Sequence, residues 1–171
     1  MSNLTSHQKT MRDVWQQHGQ AEFILKDPDA AIATMSDDPY ILAIPFGQLL
    51  SGREAVYTFY RDDFLCKIPP DLEMEPVRQV VGDDHIADEF VLRFTHSVEM
   101  PWQVPGVAPT GRRAEIVMMV LVGFEGDKMA YEHLMWNHAA LLSQLGVVDS
   151  PLAATGNGGA GQLLGLSGTR A

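Results

Sequence analysis

Four polar side chains crowd into an otherwise apolar stretch of the chain. Glu132, His133, Asn137 and His138 lie within residues 128–148, where most of the other side chains are apolar. A histidine exchanges protons near neutral pH, and a carboxylate can act as a general base. Because apolar segments usually exclude such groups, this density predicts a lined cavity, and the residue types make proton transfer one chemistry to test there.

The period of a β-strand divides these residues between two faces. His133 and Asn137 are four positions apart, so they point to the same side, which we interpret as the side of the pocket. Each has a structural alternative: His133 as a hydrogen-bonded core histidine, and Asn137 as the cap of the helix that follows. Glu132 would point to the other side, where an ion pair with Arg93 or Arg113 is favoured.

Further candidates lie on the preceding strands. His96 shares its face with Phe94, and this face is the more apolar one, so it should line the cavity. There His96 would act as a general acid or as a donor to an enolate oxygen, unless it is a satisfied structural histidine. Glu115 stands in a strongly apolar strand and is either a base or a partner for Arg112 or Arg93. The residues predicted to bind a substrate are Tyr40, Phe94, Trp102, Glu115, Met118, Met135 and Trp136.

A metal site is not predicted from the histidines. His96, His133 and His138 form no tight pair of the type His-x-His or His-x-x-x-His, and His138 opens a helix. The methionines of this region are better explained as adaptable core or pocket lining. We therefore expect no metal at these residues.

The elements that position these residues begin with helices. A capping box at Thr5 and Gln8 starts a helix that runs to about residue 26, with His18 among the positions of its apolar stripe. A cap at Asp27 opens a second helix, and a capping box at Ser51 and Glu54 opens a third, which ends before the two prolines at 69 and 70.

Strands make up most of the remainder. Alternating patterns predict strands over residues 40–46, 72–81, 85–100, 113–124 and 128–136. Turn residues predict that strand 72–81 pairs antiparallel with 85–100, and strand 113–124 with 128–136. Residues 101–111 carry three prolines and read as a loop at a rim. A final helix over 138–145 ends at Gly146, and the whole order is typical of an α+β domain.

Composition limits the partners of the protein. With 171 residues and 46% hydrophobic content, we expect one domain over residues 1–152 and a flexible glycine-rich tail over 153–171. A net charge of -10 without a basic cluster argues against nucleic acid. No apolar run approaches the roughly 18 residues of a membrane span, and the single cysteine, Cys66, fits a reducing compartment, so we expect a cytoplasmic protein without a membrane partner.

Several stretches together resemble one family. Trp-Gln-Val-Pro-Gly-Val-Ala-Pro-Thr-Gly-Arg-Arg at 102–113, Phe-Thr-His at 94–96 and Tyr-Glu-His-Leu-Met-Trp at 131–136 are similar to the SnoaL-like polyketide cyclases of the nuclear transport factor 2-like superfamily. The resemblance implies a cone-shaped, curved antiparallel sheet wrapped around N-terminal helices, which is also called a cystatin-like α+β barrel. It further implies a homodimer, an apolar pocket for a small hydrophobic molecule, and intramolecular aldol chemistry without a cofactor.

One position departs from the family pattern. The family carries an acid/base aspartate in a context that resembles Trp136-Asn137, and here an amide replaces it; an amide exchanges no proton at neutral pH. The first hypothesis is therefore a cyclase or isomerase that uses His133 or His96, with Asn137 holding an oxygen. The alternatives are a binding or assembly module without turnover, and an epoxide or lactone hydrolase, for which only Glu115 offers a carboxylate.

Overall fold

The structure is a computed structural model that describes residues 4–149 together with Ala160, Leu163 and Leu164. Helix α1 spans Ser6–Gly19 and continues as a π-helical segment over Gln20–Leu25, and α2 spans Pro28–Ala33. Helix α3 spans Arg53–Thr58, continues as a second π-helical segment over Phe59–Phe64 and ends in a 3₁₀ turn at Leu65–Lys67. Helix α4 spans His138–Gln144.

The strands form one sheet. They are β1 Met35–Ala43, β2 Gln48–Ser51, β3 Glu73–Val81, β4 His85–Thr95, β5 Arg113–Glu125 and β6 Lys128–Trp136. Within the described residues the sheet has six strands in the order β2-β1-β6-β5-β4-β3, with β1 parallel to β6 and antiparallel to β2. The predicted α+β class and the two predicted neighbouring strand pairs are confirmed, whereas β2 was not predicted.

The predicted N-terminal caps of α1 and α2 are confirmed, and that of α3 is not. Thr5 and Gln8 form the capping box of α1, and the Asp27 carboxylate accepts hydrogen bonds at the start of α2, as the sequence predicts. The capping box at Ser51 and Glu54 is wrong. Ser51 instead ends β2 opposite Tyr40, and α3 begins after Gly52, whose φ of 87° lies in the region that favours glycine.

The π-helical segments change which side chains are buried. An uninterrupted α-helix would place Leu25 on the apolar stripe of α1, but Leu25 is 64% exposed, and Glu22 is buried at 6% exposure. A π-helical turn holds more residues than an α-helical one, so it rotates the following side chains around the helix axis. The segment ends at Lys26, whose φ of 51° is left-handed.

The chain divides into two compact units. The first comprises Met1–Cys66, Val80–Ala87 and Val120–Leu134, and its buried core includes Met11, Met35, Val56, Tyr60 and Met129. The second comprises Lys67–Gln79, Asp88–Met119 and Met135–Ala171, and its buried core includes Phe94, Met100, Leu141 and Leu145.

Two further predictions concern the C-terminal tail and the absence of a membrane span. The tail predicted over residues 153–171 lies outside the described residues, except for Ala160, Leu163 and Leu164. Among the helices that the structure describes, none is long and apolar enough to cross a membrane.

Candidate functional site

A buried polar cluster occupies the first unit. It consists of His18, Glu22, Tyr60 and Glu132, all between 0% and 6% exposed, and we call it the His18 cluster. His18 Nε2 lies 3.0 Å from Glu22 Oε1 and 3.3 Å from Glu132 Oε1. The Tyr60 hydroxyl lies 3.1 Å from His18 Nε2 and donates to Glu132 Oε1 at 3.2 Å. One imidazole nitrogen therefore faces two carboxyl groups and a phenol.

The other imidazole nitrogen fixes the tautomer. The Thr34 hydroxyl donates to the Ala31 carbonyl oxygen at 2.7 Å, so its oxygen is left as an acceptor for His18 Nδ1, also at 2.7 Å. Nδ1 therefore carries a proton and donates to Thr34. Nε2 is the nitrogen that can gain or lose a proton, and it is the one that faces the carboxyl groups.

The charges of the cluster are set by burial and by mutual contact. Burial alone would lower the pKa of His18, but the charges and hydrogen bonds of Glu22 and Glu132 outweigh it and raise this pKa to about 10. Burial raises the pKa of Glu22, against the opposing effect of His18. Burial and the nearby carboxyl groups also raise the pKa of the Tyr60 phenol. At neutral pH the cluster therefore holds an imidazolium, with a proton retained more readily than usual on Glu22.

Four different elements position these side chains. His18 lies in α1, and Glu22 follows four residues later in the first π-helical segment. Tyr60 lies in the second π-helical segment, and Glu132 lies in β6. π-Helical turns are rare and are frequently found at functional sites, because they redirect a side chain out of the α-helical phase. Here both of them carry a member of the same cluster.

The cluster also has the donor set of a metal site. Ligand atoms of His18, Glu22 and Glu132 lie within 4.8 Å of one another. A metal would have to displace the Nε2 proton, however, and the raised pKa of His18, about 10, makes that proton a strong competitor at neutral pH. The arrangement is therefore better suited to moving protons than to holding a cation.

The arginine partner predicted for Glu132 is wrong. Glu132 is 4% exposed and its carboxylate meets Tyr60 and His18, not an arginine. Arg93 pairs with Glu75 and Glu115, and Arg113 pairs with Glu73. The direction of Glu132 is thus set by helix residues distant in the sequence.

His133 lies in a different cluster, with Tyr40 and Tyr131. The Tyr40 hydroxyl lies 3.0 Å from His133 Nε2. The Tyr131 ring stacks on the Tyr40 ring at a centroid distance of 4.9 Å and on the His133 ring at 4.7 Å. The Tyr131 hydroxyl in turn lies 2.5 Å from His85 Nε2. The structure therefore brings together two of the predicted site residues, Tyr40 and His133, on half-buried positions.

Asn137 acts as a helix cap. Its side-chain oxygen accepts a hydrogen bond from the Ala140 backbone N–H at 3.0 Å, and the residue is exposed. This confirms the capping alternative and commits the side-chain oxygen to α4. The neighbouring Trp136 is 9% exposed, and its indole N–H donates to His138 Nδ1 at 3.2 Å.

The remaining predicted residues lie in the second unit. Phe94, His96 and Met118 are buried, Met135 is half-buried, and the indole N–H of the buried Trp102 donates to the Lys67 carbonyl oxygen at 3.4 Å. The Glu115 carboxylate accepts from Arg93 Nε at 2.5 Å, as the structural alternative for this residue predicts. Whether these side chains contact a substrate stays a prediction.

Glu22 and Tyr60 were not predicted as site residues from the sequence, and His18 was placed on the apolar stripe of the first helix. One signal was available: His18 and Glu22 are four positions apart, so they lie on the same helix face, where such a pair can interact. No local pattern marks Tyr60, because its partner Glu132 lies 72 residues away.

Comparison with known proteins identifies the family. The model of the SnoaL-like domain matches residues 13–132. The chain therefore belongs to the SnoaL-like domain family, as the motif resemblance predicts. A search of the curated proteins found no match.

Solved structures support the same fold. A protein described as a SnoaL-like polyketide cyclase from Jannaschia sp. CCS1 is 13% identical, with a TM-score of 0.71 over 87% of this chain and 100% of that chain. An NTF2-like protein of unknown function from Burkholderia pseudomallei K96243 is 15% identical, with a TM-score of 0.61 over 80% of this chain and 97% of that chain. The epoxide hydrolase/cyclase-like enzyme SalBIII is 14% identical, with a TM-score of 0.57 over 78% of this chain and 95% of that chain. At these identities the likeness shows the nuclear transport factor 2-like α+β fold alone.

Proposed function

We propose that this protein is a small-molecule enzyme of the cyclase or isomerase type, which performs acid/base chemistry without a cofactor on a hydrophobic, carbonyl-bearing ligand. The observation that carries this proposal is the His18 cluster. It combines a carboxylate, a carboxyl group with a raised pKa and an imidazolium within hydrogen-bonding distance. These are the groups that enolisation and aldol addition require: a base for a C–H proton and acids for the oxygen atoms that gain charge.

The proton transfers balance within the cluster. The Glu132 carboxylate takes the proton of a C–H bond next to a ketone, and the electron pair moves into an enolate. His18 Nε2–H donates a hydrogen bond to the enolate oxygen. The enolate carbon then attacks a second carbonyl of the same molecule, and the Glu22 carboxyl group gives its proton to the new alkoxide. Return of the proton from Glu132 to Glu22 by way of His18 restores the starting state, and no redox step occurs.

Entry to the cluster is proposed from a neighbouring cleft of the first unit. This cleft has a volume of about 650 Å³ and is lined by residues of β2 and α3 and by Phe59. Phe59 lines the cleft, and its ring centroid lies 5.8 Å from that of Tyr60, a member of the His18 cluster. A ligand would pass Phe59, which lies in the same π-helical segment as Tyr60.

Deuterium exchange tests the proposal without knowledge of the natural substrate. The protein is incubated in D₂O with acetophenone and larger aryl ketones, and loss of the C–H signal next to the carbonyl is followed by NMR. Glu132→Gln should slow the catalysed exchange by about a hundredfold, the lower range for loss of a general base. Glu73→Gln, which removes an exposed carboxylate, is the matched control and should leave the rate unchanged. Exchange that is absent, or equal in both variants, contradicts the proposal.

A second candidate is the opening or cyclisation of an epoxide. The observation that favours it is the pair Glu22 and Glu132, because such chemistry needs one carboxyl group to protonate the epoxide oxygen and one carboxylate to deprotonate the attacking hydroxyl or water. Glu115, the carboxylate expected for this role from the sequence, is instead paired with Arg93. Incubation with styrene oxide separates the two candidates, since diol formation without ketone exchange favours the epoxide reaction. A protein that binds ketones and turns over neither substrate is a binding module.

A further inference from the structure

Three side chains of the first unit form a carboxylate–imidazole–hydroxyl chain outside the His18 cluster. Asp84 Oδ1 lies 2.5 Å from His85 Nδ1, and the Tyr131 hydroxyl lies 2.5 Å from His85 Nε2. Because an ionised carboxylate only accepts hydrogen bonds, Nδ1 carries the proton of the neutral imidazole, and Nε2 is left as an acceptor. The Tyr131 phenol therefore donates to a nitrogen that can take its proton.

This order of groups is the one that activates a hydroxyl as a nucleophile. A hydroxyl attacks a carbonyl carbon slowly by itself, and an adjacent base that a third group orients removes its proton during the attack. Burial, with Tyr40 and Asp84 nearby, raises the pKa of the Tyr131 phenol, so the phenol keeps its proton at neutral pH and needs such a base. His85 is the base in hydrogen-bonding contact with it.

The backbone and the neighbouring rings hold these groups in place. Phe124 N–H donates to the Asp84 carbonyl oxygen at 2.9 Å, which ties the carboxylate-bearing turn to β5. The Tyr131 ring is fixed by the two stacking contacts described above and lies over Gly123, where a Cβ would come within 2.3 Å of the ring. The phenol oxygen is therefore positioned against His85 before any reaction, and little ordering is left to be done in the transition state.

The chain of groups borders solvent. The side chains of Asp84 and His85 are 72% and 38% exposed, and Tyr131 is half-buried. In this respect it differs from the His18 cluster, whose members are all buried. A small electrophile can therefore approach this tyrosine and histidine pair from the surface, without a deep cavity.

We propose that Tyr131 is an acyl-accepting nucleophile toward small activated carboxylic esters, with His85 as its general base and Asp84 as the residue that positions the imidazole. The phenol oxygen attacks the ester carbonyl carbon while His85 Nε2 takes the phenol proton. The bond to the leaving oxygen then breaks, and that oxygen takes the proton from Nε2. Water, deprotonated by Nε2, attacks the tyrosyl ester, releases the carboxylic acid and restores the phenol. No redox step occurs, and the reaction does not depend on the His18 cluster.

Tyr40 provides a matched control within the same stack of rings. Its hydroxyl lies 3.0 Å from His133 Nε2, and Tyr40 is half-buried, as Tyr131 is. Among the residues that the structure describes, no carboxylate contacts the His133 ring. Both tyrosines therefore have an imidazole beside the hydroxyl, but only the imidazole of Tyr131 is oriented by a carboxylate.

Acetylation by p-nitrophenyl acetate tests the proposal on the intact chain, with peptide mass spectrometry to follow each tyrosine. We expect Tyr131 to be acetylated about fivefold faster than Tyr40, because an exposed charge pair such as that of Asp84 contributes no more than this. Asp84→Asn should remove the advantage. His85→Gln, which cannot take a proton, should slow acetylation of Tyr131 by about a hundredfold.

The role of Asp84 has a readout of its own. The ¹⁵N NMR signals of the His85 ring should show the proton of the neutral form on Nδ1 in the wild type. In Asp84→Asn they should show a mixture of the two tautomers, because an amide can face Nδ1 either as an acceptor or as a donor. Identical ring signals in both proteins would show that Asp84 does not position the imidazole.

Rescue by imidazole separates proton transfer from packing. His85→Ala should lose acetylation of Tyr131, and imidazole added in solution should restore it, because the vacated position is accessible. His85→Gln fills that position and should not respond. All rates are taken relative to Tyr40, which corrects for acetylation by free imidazole. Equal acetylation of Tyr131 and Tyr40 in the wild type, an unchanged Tyr131 rate in His85→Gln, or an acetyl group that stays on His85 overturns the proposal.

Discussion

Replacing His18 by glutamine should remove a large part of the pH dependence of folding. The pKa of His18 is raised from 6.5 to about 10 in the folded protein, because Glu22 and Glu132 more than offset the effect of burial. The folded state therefore binds the imidazole proton more tightly than the unfolded state does. Stability from this group is fully present below pH 6.5 and is lost as the pH rises through 10.

The size of the effect follows from the two pKa values. The increase of the His18 pKa from 6.5 to about 10 corresponds to about 5 kcal/mol of unfolding free energy, because each tenfold change in proton affinity is worth roughly 1.4 kcal/mol. Glu22 acts in the same direction, because its pKa is also raised: its contribution starts to be lost above pH 4.5, at lower pH than that of His18. Wild-type stability should therefore fall steadily toward alkaline pH.

Urea denaturation at a series of pH values between 6 and 10 measures this dependence, with tryptophan fluorescence as the signal. His7→Gln is the matched control, because His7 is a partly exposed histidine near Asp127 and should leave the wild-type curve in place. The NMR signal of the His18 ring reports the same event directly. Parallel stability curves for wild type and His18→Gln, or a His18 ring that titrates below pH 7, would refute the charge assignment on which the mechanism depends.

Three further substitutions test single contacts by urea denaturation. Tyr60→Phe removes the hydroxyl that donates to Glu132 and should cost about 1–3 kcal/mol, whereas a loss within error would show that the phenol is not part of the cluster. Asn137→Ala should cost about 1 kcal/mol through loss of the cap, and Asn137→Asp should restore most of it; equal losses in both would contradict the capping role. Gly123→Ala would place a Cβ 2.3 Å from the Tyr131 ring and should cost about 1–3 kcal/mol with a changed near-ultraviolet circular dichroism spectrum, so an unchanged spectrum and stability would disprove that contact.

Local interactions explain why much of the fold could be predicted. The cap at Thr5, the cap at Asp27 and the left-handed Gly146, with a φ of 71°, each depend on partners within a few residues. The hairpins likewise follow from turn residues between alternating strands. Such features are encoded within one short window of sequence, so composition and spacing are sufficient to find them.

The candidate site could be predicted only in part, because distant contacts determine it. Glu132 and His133 are adjacent, and strand periodicity separates their faces correctly, but it does not say which face meets the helices. That choice depends on Tyr60 and His18, which lie in other elements. The first π-helical segment adds a second difficulty, since it leaves Leu25 exposed where a regular α-helix would place it on the apolar stripe of α1.

The proposed function assigns the base to a residue other than Asn137. An amide at this position removes a base from the place where the family pattern has an aspartate, and the structure commits its oxygen to capping α4. Five residues earlier, however, Glu132 in β6 supplies a buried carboxylate beside an imidazole and a phenol. Buried charges of this kind are often less stabilising than apolar side chains of the same volume, so packing gives little reason for them. In the proposed function the acid/base chemistry is therefore carried by Glu132 in β6 rather than by residue 137.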